Sequence, residues 1–449
     1  MAKVLLVSPP YYKPYSKGQF IADSMPLGLG YIAAYALSKL EIDVKIIDYG
    51  IEKYSDDIWK QEITDYCPDI IGFSALTLGY RQVIKMAKIV GELKRSITIL
   101  SGGAHSTIMP NDMLERCDIA VRGEGEISFF EILSGKRLQD IDGITYNRDG
   151  CVWSNKDRQR IDNLDELPMP AYQLFDYKMY RQHSIIGSRG CPYNCVFCAS
   201  PVLWNRIMKL RTPANIVNEI QFLNTTYDVK HIVFQDDTFN LTPQRGIEIC
   251  DEIMKRGLNI SFSTQMRANK ECVSNDLFER MKQANCVDVT FGIETGSNKV
   301  MKSLNKHLTV KEAGNAVKMA HQAGIRHVKG FFMVGNWNET TLDIVKTWYF
   351  IIRNPIDTVL TVCTPLPATD FFAKLKTLGY IDKVDWTKVD WVTPVSRTDK
   401  MSKSTILLFY YMTVIFIHLP AHIRSGNPKG LIKGIWNFGM NKLRLVSAK

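Results

Sequence analysis

The stretch GSRGCPYNCVFCAS, residues 187–200, places Cys191, Cys195 and Cys198 within eight positions. The 449-residue chain has ten cysteines, and the other seven (Cys67, Cys117, Cys151, Cys250, Cys272, Cys286 and Cys363) stand singly. Such scatter is not a disulfide framework. The opening MAKVLLVSPPYY has too short an apolar run for a signal peptide, so the expected compartment is cytoplasmic and reducing. The cluster therefore needs a reason other than cross-linking. A structural zinc site usually takes four ligands in paired C-x2-C knuckles, whereas the spacing here is C-x3-C-x2-C with no fourth cysteine beside it. A [4Fe–4S] cluster normally takes four thiolates. Three leave one iron open to a small chelating ligand.

Immediately before the cluster, SIIGS (184–188) reads as a strand. Five more follow: HIVFQD (231–236), ISFSTQMR (260–267), VDVTFGIE (287–294), HVKGFFMVG (327–335) and DTVLTVC (357–363). The intervening helical stretches carry clear end signals. Thr212-Pro213 and Thr242-Pro243 each offer an N-cap with proline at the first helical position. Gly257 and Gly324 stand where a left-handed cap closes a helix, and Thr309 with Glu312 makes a capping box. Six βα units predict a partial (β/α)6 barrel of the TIM type over residues 183–385, with its chemistry at the strand carboxyl ends. The cysteines lie on that rim. So do Asp236 and Asp237 in FQDDTF, Arg267 in QMRAN and Glu294 in FGIETGS.

Residues 1–143 show the same alternation, with strands at 4–7, 44–48, 70–75, 97–100 and 118–121 and helices at 28–40, 56–65, 79–94, 108–116 and 125–134. This α/β pattern predicts a Rossmann-like parallel sheet covered on both faces, with ligands at the strand carboxyl ends. Those ends read SPP (8–10), SALT (74–77), SGGAH (101–105) and RGEGE (122–126), small and glycine-rich enough for a bulky ligand to approach the backbone. Residues 144–182 are expected to form a small hairpin and an interdomain linker. Residues 386–449 form a third region, helical and basic. Its apolar run 406–419 falls short of the about 20 residues that span a bilayer. Residues 421–449 hold six Lys or Arg and no acid, more than half of the net charge of +10. Two readings stand: a helical cap on the barrel, or membrane-surface contact through LIKGIWNFGMNKLRLV (431–446) as a basic amphipathic helix. The tail shows no interleaving of aromatic and basic residues for base stacking, so nucleic acid is not an expected partner.

With C-x3-C-x2-C directly after the first barrel strand and Phe197 before the last cysteine, the chain resembles the radical S-adenosylmethionine superfamily. SPP, PLGLGY (26–31), SGGAH and RGEGE, followed by LDELPMPAY (164–172), resemble the cobalamin-binding domain that precedes the barrel in one large subgroup. Together the resemblances cover about residues 1–385. They imply that Cys191, Cys195 and Cys198 hold a [4Fe–4S] cluster whose open iron binds the amino and carboxylate groups of S-adenosylmethionine. An electron, from a donor such as flavodoxin or ferredoxin, then cleaves a C–S bond to give a 5′-deoxyadenosyl radical. The expected S-adenosylmethionine contacts are Phe197, Asp236, Asp237, Arg267 and Glu294, with Arg267 pairing the carboxylate through its fork. The expected cobalamin contacts are Ser8, Pro9, Ser74, Leu76, Thr77, Gly102, Gly103, His105, Gly123, Glu124 and Gly125. The D-x-H-x-x-G motif that gives cobalt a histidine in many cobalamin proteins is absent. Leu76 and Thr77 are therefore expected to face the metal, and His105 the corrin or nucleotide edge, the alternative for His105 being a hydrogen-bonded loop histidine. FFMVGNWNET (331–340) resembles the family's glycine-containing turn but has Trp337 and Asn338 in place of Pro-Gly. TPLPATDFF (364–372) resembles its proline-containing loop at the substrate.

Methylcobalamin can give a methyl group to a carbon radical, whereas polar methyl transfer needs a nucleophile. The resemblance thus implies first a C-methyltransferase acting on an unactivated carbon of a small-molecule or lipid-like substrate. A cyclisation or oxidation on the same cofactors, as in the anaerobic cyclase of chlorophyll biosynthesis, is the second reading. A non-catalytic cobalamin- or lipid-binding protein is the third. A tRNA methylthiotransferase would bring a second cysteine trio in the first domain, and none is present.

Overall fold

The computed structural model describes residues 1–10, 24–93, 96–382, 384–386 and 389–424. The stretch 431–446, expected as an amphipathic helix, lies outside them. All ten cysteines are free thiols.

The first sheet has seven strands: β1 (Lys3–Ser8), β2 (Asp43–Asp48), β3 (Ile70–Ser74), β4 (Thr98–Gly102), β5 (Ile119–Val121), β6 (Ile144–Arg148) and β7 (Cys151–Ser154), in the order β2-β1-β3-β4-β5-β6-β7. The first five are parallel. Strand residues alternate between faces. Leu5, Val7, Ile71 and Phe73 pack around Trp59 on one face, and Val4, Leu6, Leu100 and Val121 pack with Leu29 and Phe129 on the other. Strand order reverses at β1 and β3, where doubly wound sheets open a crevice. The hairpin expected after residue 143 is present, but it is no separate unit. Strand β6 pairs antiparallel with β5, and β7 with β6, so the sheet runs on to Ser154.

The second sheet is wholly parallel, in the order β15-β14-β13-β12-β11-β8. Its strands are β8 (His183–Ile185), β11 (His231–Phe234), β12 (Ser261–Met266), β13 (Cys286–Glu294), β14 (His327–Val334) and β15 (Asp357–Val362). These are the six strands expected of a partial barrel. A short antiparallel ribbon of β9 (Ser188–Arg189) and β10 (Lys209–Leu210) stands at its first strand end. The helix ends follow the sequence signals. Thr212 and Thr242 accept from the Asn215 and Arg245 amides, Thr309 and Glu312 cap each other's backbone, and Gly257 and Gly324 have φ of +61° and +79°. The C-terminal helix Lys403–Arg424 packs Ile406 and Tyr410 against Val334 and Val362 of the barrel edge. Among the described residues no helix is long and apolar enough to cross a membrane.

A buried network fastens the linker between the sheets. Arg211 pairs with Glu219 of the helix Pro213–Tyr227, and Glu219 also accepts from the Tyr172 hydroxyl of the linker. Burial keeps that hydroxyl protonated by pushing its pKa well above the usual value. Arg211 donates to the Ile186 carbonyl at 2.8 Å and lies 3.4 Å from the Tyr31 hydroxyl, on the first sheet's helix Leu27–Leu37. Removing one partner of a buried pair leaves the other charge uncompensated, at a cost of about 3–5 kcal/mol. Glu219→Ala is expected to lower the unfolding free energy by that amount in a urea titration. Glu219→Gln, which still accepts from Tyr172, should lose less.

Candidate active site

The cysteine loop is fixed residue by residue. Gly187 N–H and the Ser188 hydroxyl donate to the two oxygens of Asp236 at 2.7 and 2.6 Å. Arg189 reaches Glu124 at 3.0 Å and Glu126 at 2.7 Å. Gly190 has φ +94°, and a Cβ there would lie 2.3 Å from the Ile207 carbonyl oxygen, so only glycine fits. Beyond the last cysteine, the Ser200 hydroxyl donates to Asp237 at 2.8 Å. Within the loop, Val196 N–H donates to the Leu304 carbonyl at 3.1 Å, and the Val196 carbonyl accepts from Phe371 N–H at 2.8 Å. The loop is thereby tied to elements around the barrel mouth.

Cys191 and Cys195 are buried and Cys198 half-buried. The Cys191 sulfur is 3.4 Å from the Thr238 hydroxyl. Burial pushes the Cys198 thiol up to about 12; Asp237, Cys195 and Cys191 add to the rise against the Ser200 N–H. Thiols in this setting ionise against a cation, and a coordinated metal ion supplies one. Among the described residues no three His, Cys, Asp or Glu side chains converge on a single metal ion. A four-iron cluster makes no such demand, because each thiolate ligates a different iron.

The four charged strand-end residues gather at this mouth, chiefly as partners of the protein itself. Both oxygens of buried Asp236 hold the loop, and Asp237 is shared between Ser200 and the Trp204 side chain. Arg267 stacks on Tyr193 with 3.5 Å from guanidinium carbon to ring centroid. Its Nε donates to Asn269 at 2.9 Å, one terminal nitrogen donates to the Lys306 carbonyl, and the other lies 3.8 Å from the Cys195 sulfur. Two of the three nitrogens of the fork expected to clamp a carboxylate are thus engaged within the protein, and the third faces the Cys195 sulfur. Glu294, at φ +72°, pairs through one oxygen with Lys306 at 2.7 Å, both side chains being buried. The same ammonium lies 5.8 Å from the Phe197 ring centroid.

Lys306, Tyr193 and Asn240 escaped the sequence reading. Asn240 donates to the Arg267 and Cys272 carbonyls and accepts from Arg267 N–H, each at 2.9 Å. In the sequence Asn240 shows only as a polar residue four positions beyond Asp236, and Lys306 sits in a loop with no pattern at all. In the barrel interior lies a polar cavity of about 280 Å³, lined by His231, Ser263, Gln265 and Thr290 and by the ion pair Asp288–Lys329.

A second cavity, of about 270 Å³ and largely apolar, opens at the carboxyl ends of the first sheet and is closed by Ile186, Arg189 and Trp204 of the barrel. Ser74, Gly102, Gly103, Gly123, Glu124 and Gly125 line it; Ser8, Pro9, Leu76, Thr77 and His105 do not. Ser8 is buried and hydrogen-bonds Asp48. Leu76 is nearly half exposed. His105 has no exposed surface. Its ring stacks on Tyr80 at 4.2 Å, with Nδ1 3.3 Å from the Thr77 hydroxyl and Nε2 3.3 Å from the Asp112 carboxylate. Burial lowers its pKa against the pull of Asp112. Of the two expectations for His105, the structure fits the loop histidine held by its neighbours and corrects the corrin or nucleotide contact, since the ring is fully covered. Glu124 lines the cavity but is engaged by Arg189 at 3.0 Å, Arg160 at 3.0 Å and Ile161 N–H at 2.8 Å. Gly28 and Gly123 also line it, and a Cβ on either would meet no atom within 4 Å. The cavity is open where side chains would otherwise intrude.

A thiol trio on the mouth of an open parallel half-barrel, facing an apolar cleft in a doubly wound sheet, defines an enzyme with two cofactor sites side by side. Comparison with known proteins gives that class its family. The Radical SAM superfamily profile matches residues 185–347, and that of the B12 binding domain matches residues 19–133. An uncharacterized methyltransferase of Pyrococcus horikoshii is 31% identical over 447 residues, 97% of this chain and 95% of that protein. The anaerobic magnesium-protoporphyrin IX monomethyl ester cyclase of Rubrivivax gelatinosus is 28% identical over 90% of this chain and 75% of that protein. The solved structure of the cobalamin-dependent S-adenosylmethionine radical enzyme OxsB matches with a TM-score of 0.68 at 19% identity, over 95% of this chain and 62% of OxsB. The chain belongs to the radical S-adenosylmethionine superfamily, in the branch whose barrel follows a cobalamin-binding domain. Its cofactors are a [4Fe–4S] cluster, S-adenosylmethionine and cobalamin.

Two predictions concern the loop. Gly190→Ala meets both a forbidden φ and the Ile207 carbonyl, so the reconstituted variant is expected to carry less than half the wild-type iron while its far-ultraviolet circular dichroism is retained. Burial raises the Asp236 carboxyl to about 6, opposed by Ser188, Gly187 and Arg245. The folded state then holds this proton more tightly than the unfolded chain, so stability falls as pH rises from about 4 to about 6 and is level above. Asp236→Asn should remove that fall, up to about 3 kcal/mol, when urea titrations at the two ends of the window are compared.

Proposed function

We propose that the protein methylates an unactivated carbon of a small-molecule or lipid-like substrate. One observation carries the reading: Arg189 lines the apolar cleft and stands two residues before Cys191, so a single loop forms a wall of both sites. A methyl group and a radical must reach the same carbon, and shared walls keep their sources adjacent. When bound, the cluster with S-adenosylmethionine supplies a hydrogen-abstracting radical and cobalamin a transferable methyl group. The chain's own residues position these groups and exclude water.

Cys191, Cys195 and Cys198 hold the cluster, with Asp236 and Asp237 fixing the two ends of their loop. Arg267 places positive charge beside the Cys195 sulfur, which favours its thiolate. Lys306 occupies one oxygen of Glu294, which leaves the other to accept from the ammonium or ribose of S-adenosylmethionine. Gly28 and Gly123 would leave room for cobalamin in the cleft. The polar barrel interior favours a substrate whose inserted end carries hydrogen-bonding groups.

Similarity to the Rubrivivax gelatinosus cyclase over 90% of the chain supports a second reading, ring closure without methyl transfer. S-adenosylhomocysteine together with a methylated product separates the two. Cys195→Ala is expected to abolish 5′-deoxyadenosine formation while cobalamin still co-purifies. Gly28→Phe should do the reverse, keeping the iron content while weakening cobalamin retention by about tenfold or more, roughly 1.4 kcal/mol. Continued cleavage of S-adenosylmethionine by the alanine variant would remove the thiol trio from the mechanism.

A further inference from the structure

A guanidinium removed from water is costly to hold unless an anion faces it. The buried Arg189 and Arg211 meet that demand with Glu124, Glu126 and Glu219. Arg267, directly after β12, is 5% exposed and meets it differently. Its partners among the described residues are the Asn269 side-chain oxygen, the Lys306 carbonyl, the Tyr193 ring face and the Cys195 sulfur. None is a carboxylate, and the first three carry no net charge. The sulfur is the one that becomes an anion, since a cysteine ligates metal as its thiolate.

The side chain is also held in one place. Asn240 fixes the Arg267 backbone from both sides, accepting from its N–H and donating to its carbonyl, each at 2.9 Å. Tyr193, inside the cysteine loop, covers the guanidinium, and its own hydroxyl lies 3.2 Å from the Cys272 sulfur. With Nε and one terminal nitrogen engaged, the other terminal nitrogen is turned to Cys195 at 3.8 Å. Charges act strongly on one another where water is excluded. An iron–sulfur cluster with its thiolates bears net negative charge and takes up more on reduction, so a fixed cation beside it favours the reduced form. Net charge and hydrogen bonds to the sulfurs are among the factors that set such potentials. We infer that Arg267 is the counter-charge of the iron–sulfur cluster and raises its reduction potential, easing entry of the electron from the external donor. This rests on the assignment of the cluster to Cys191, Cys195 and Cys198 and is independent of methyl transfer.

The test reads the cluster without turnover. Full-length protein, reconstituted without air and free of S-adenosylmethionine, is reduced stepwise with titanium(III) citrate while electron paramagnetic resonance counts the reduced cluster. Arg267→Gln is expected to keep its iron and to lower the reduced-to-oxidised ratio at a fixed potential at least tenfold, about 59 mV for one electron. Arg267→Lys, which keeps the charge, should recover most of that ratio. Asn269→Asp leaves the guanidinium in place and sets a carboxylate against it, so it should shift the ratio the same way. It decides the matter where the glutamine variant holds too little iron to be read. An unchanged ratio in whichever of these two is read overturns the proposal, as does an equal fall in the lysine variant. A shift that emerges only when S-adenosylmethionine is added also overturns it, making Arg267 a clamp for that carboxylate. Full iron content in Cys195→Ala would instead overturn the cluster assignment beneath it.

Discussion

Three thiols can serve one iron–sulfur cluster only if the loop that carries them holds its shape, and the adjacent carboxylates Asp236 and Asp237 impose that constraint. One grips Gly187 and Ser188 before the first cysteine, and the other grips Ser200 after the last. The two ends of a fourteen-residue segment are thus referred to a single dipeptide at the end of β11. Burying a carboxylate costs free energy unless its oxygens are satisfied. Here the hydrogen bonds that offset the cost are the ones that shape the loop. Such arrangements contribute orientation more than net stability.

The same loop joins the two sheets. Arg189 is held by Glu124 and Glu126 of the first sheet and lies over the Tyr31 ring at 4.9 Å, while Arg160 pairs with Glu124 and stacks on Trp204 at 4.3 Å. The apolar cleft has walls from both sheets, so neither sheet alone forms it. A ligand that fills it binds the docked arrangement and stabilises docking by mass action. Filling the cleft and holding the cysteine loop are therefore linked through Arg189.

The sequence showed position well and partnership poorly. Strand and helix locations followed from β-branched runs, capping threonines and positive-φ glycines, all local signals. The charged strand ends could likewise be placed on the barrel rim by register. What could not be read was which groups would occupy them, because those partners are distant in sequence. Ser188 is 48 residues from Asp236, and the Lys306 carbonyl is 39 from Arg267. The rim charges therefore read as ligands for a small molecule, whereas the fold also engages each of them with other groups of the protein. The hairpin after residue 143 misled for a related reason. Its alternation shows that two strands pair, and nothing local shows that β5 offers them an open edge.

His105 is fastened beside the cleft without lining it. To reach a ligand, its ring would have to leave Tyr80, Thr77 and Asp112 together. Its backbone is tied as well: His105 N–H donates to the Ala75 carbonyl at 2.9 Å, and Ala75 N–H to Gly102 at 2.7 Å. Freeing the histidine would unpick the turn that holds Gly103 at φ +94° within 3.0 Å of the Ala75 oxygen. Leu76, next in the chain, needs no such rearrangement, being already exposed. The fastening of the β3 and β4 loops therefore keeps this nitrogen donor out of the apolar cleft.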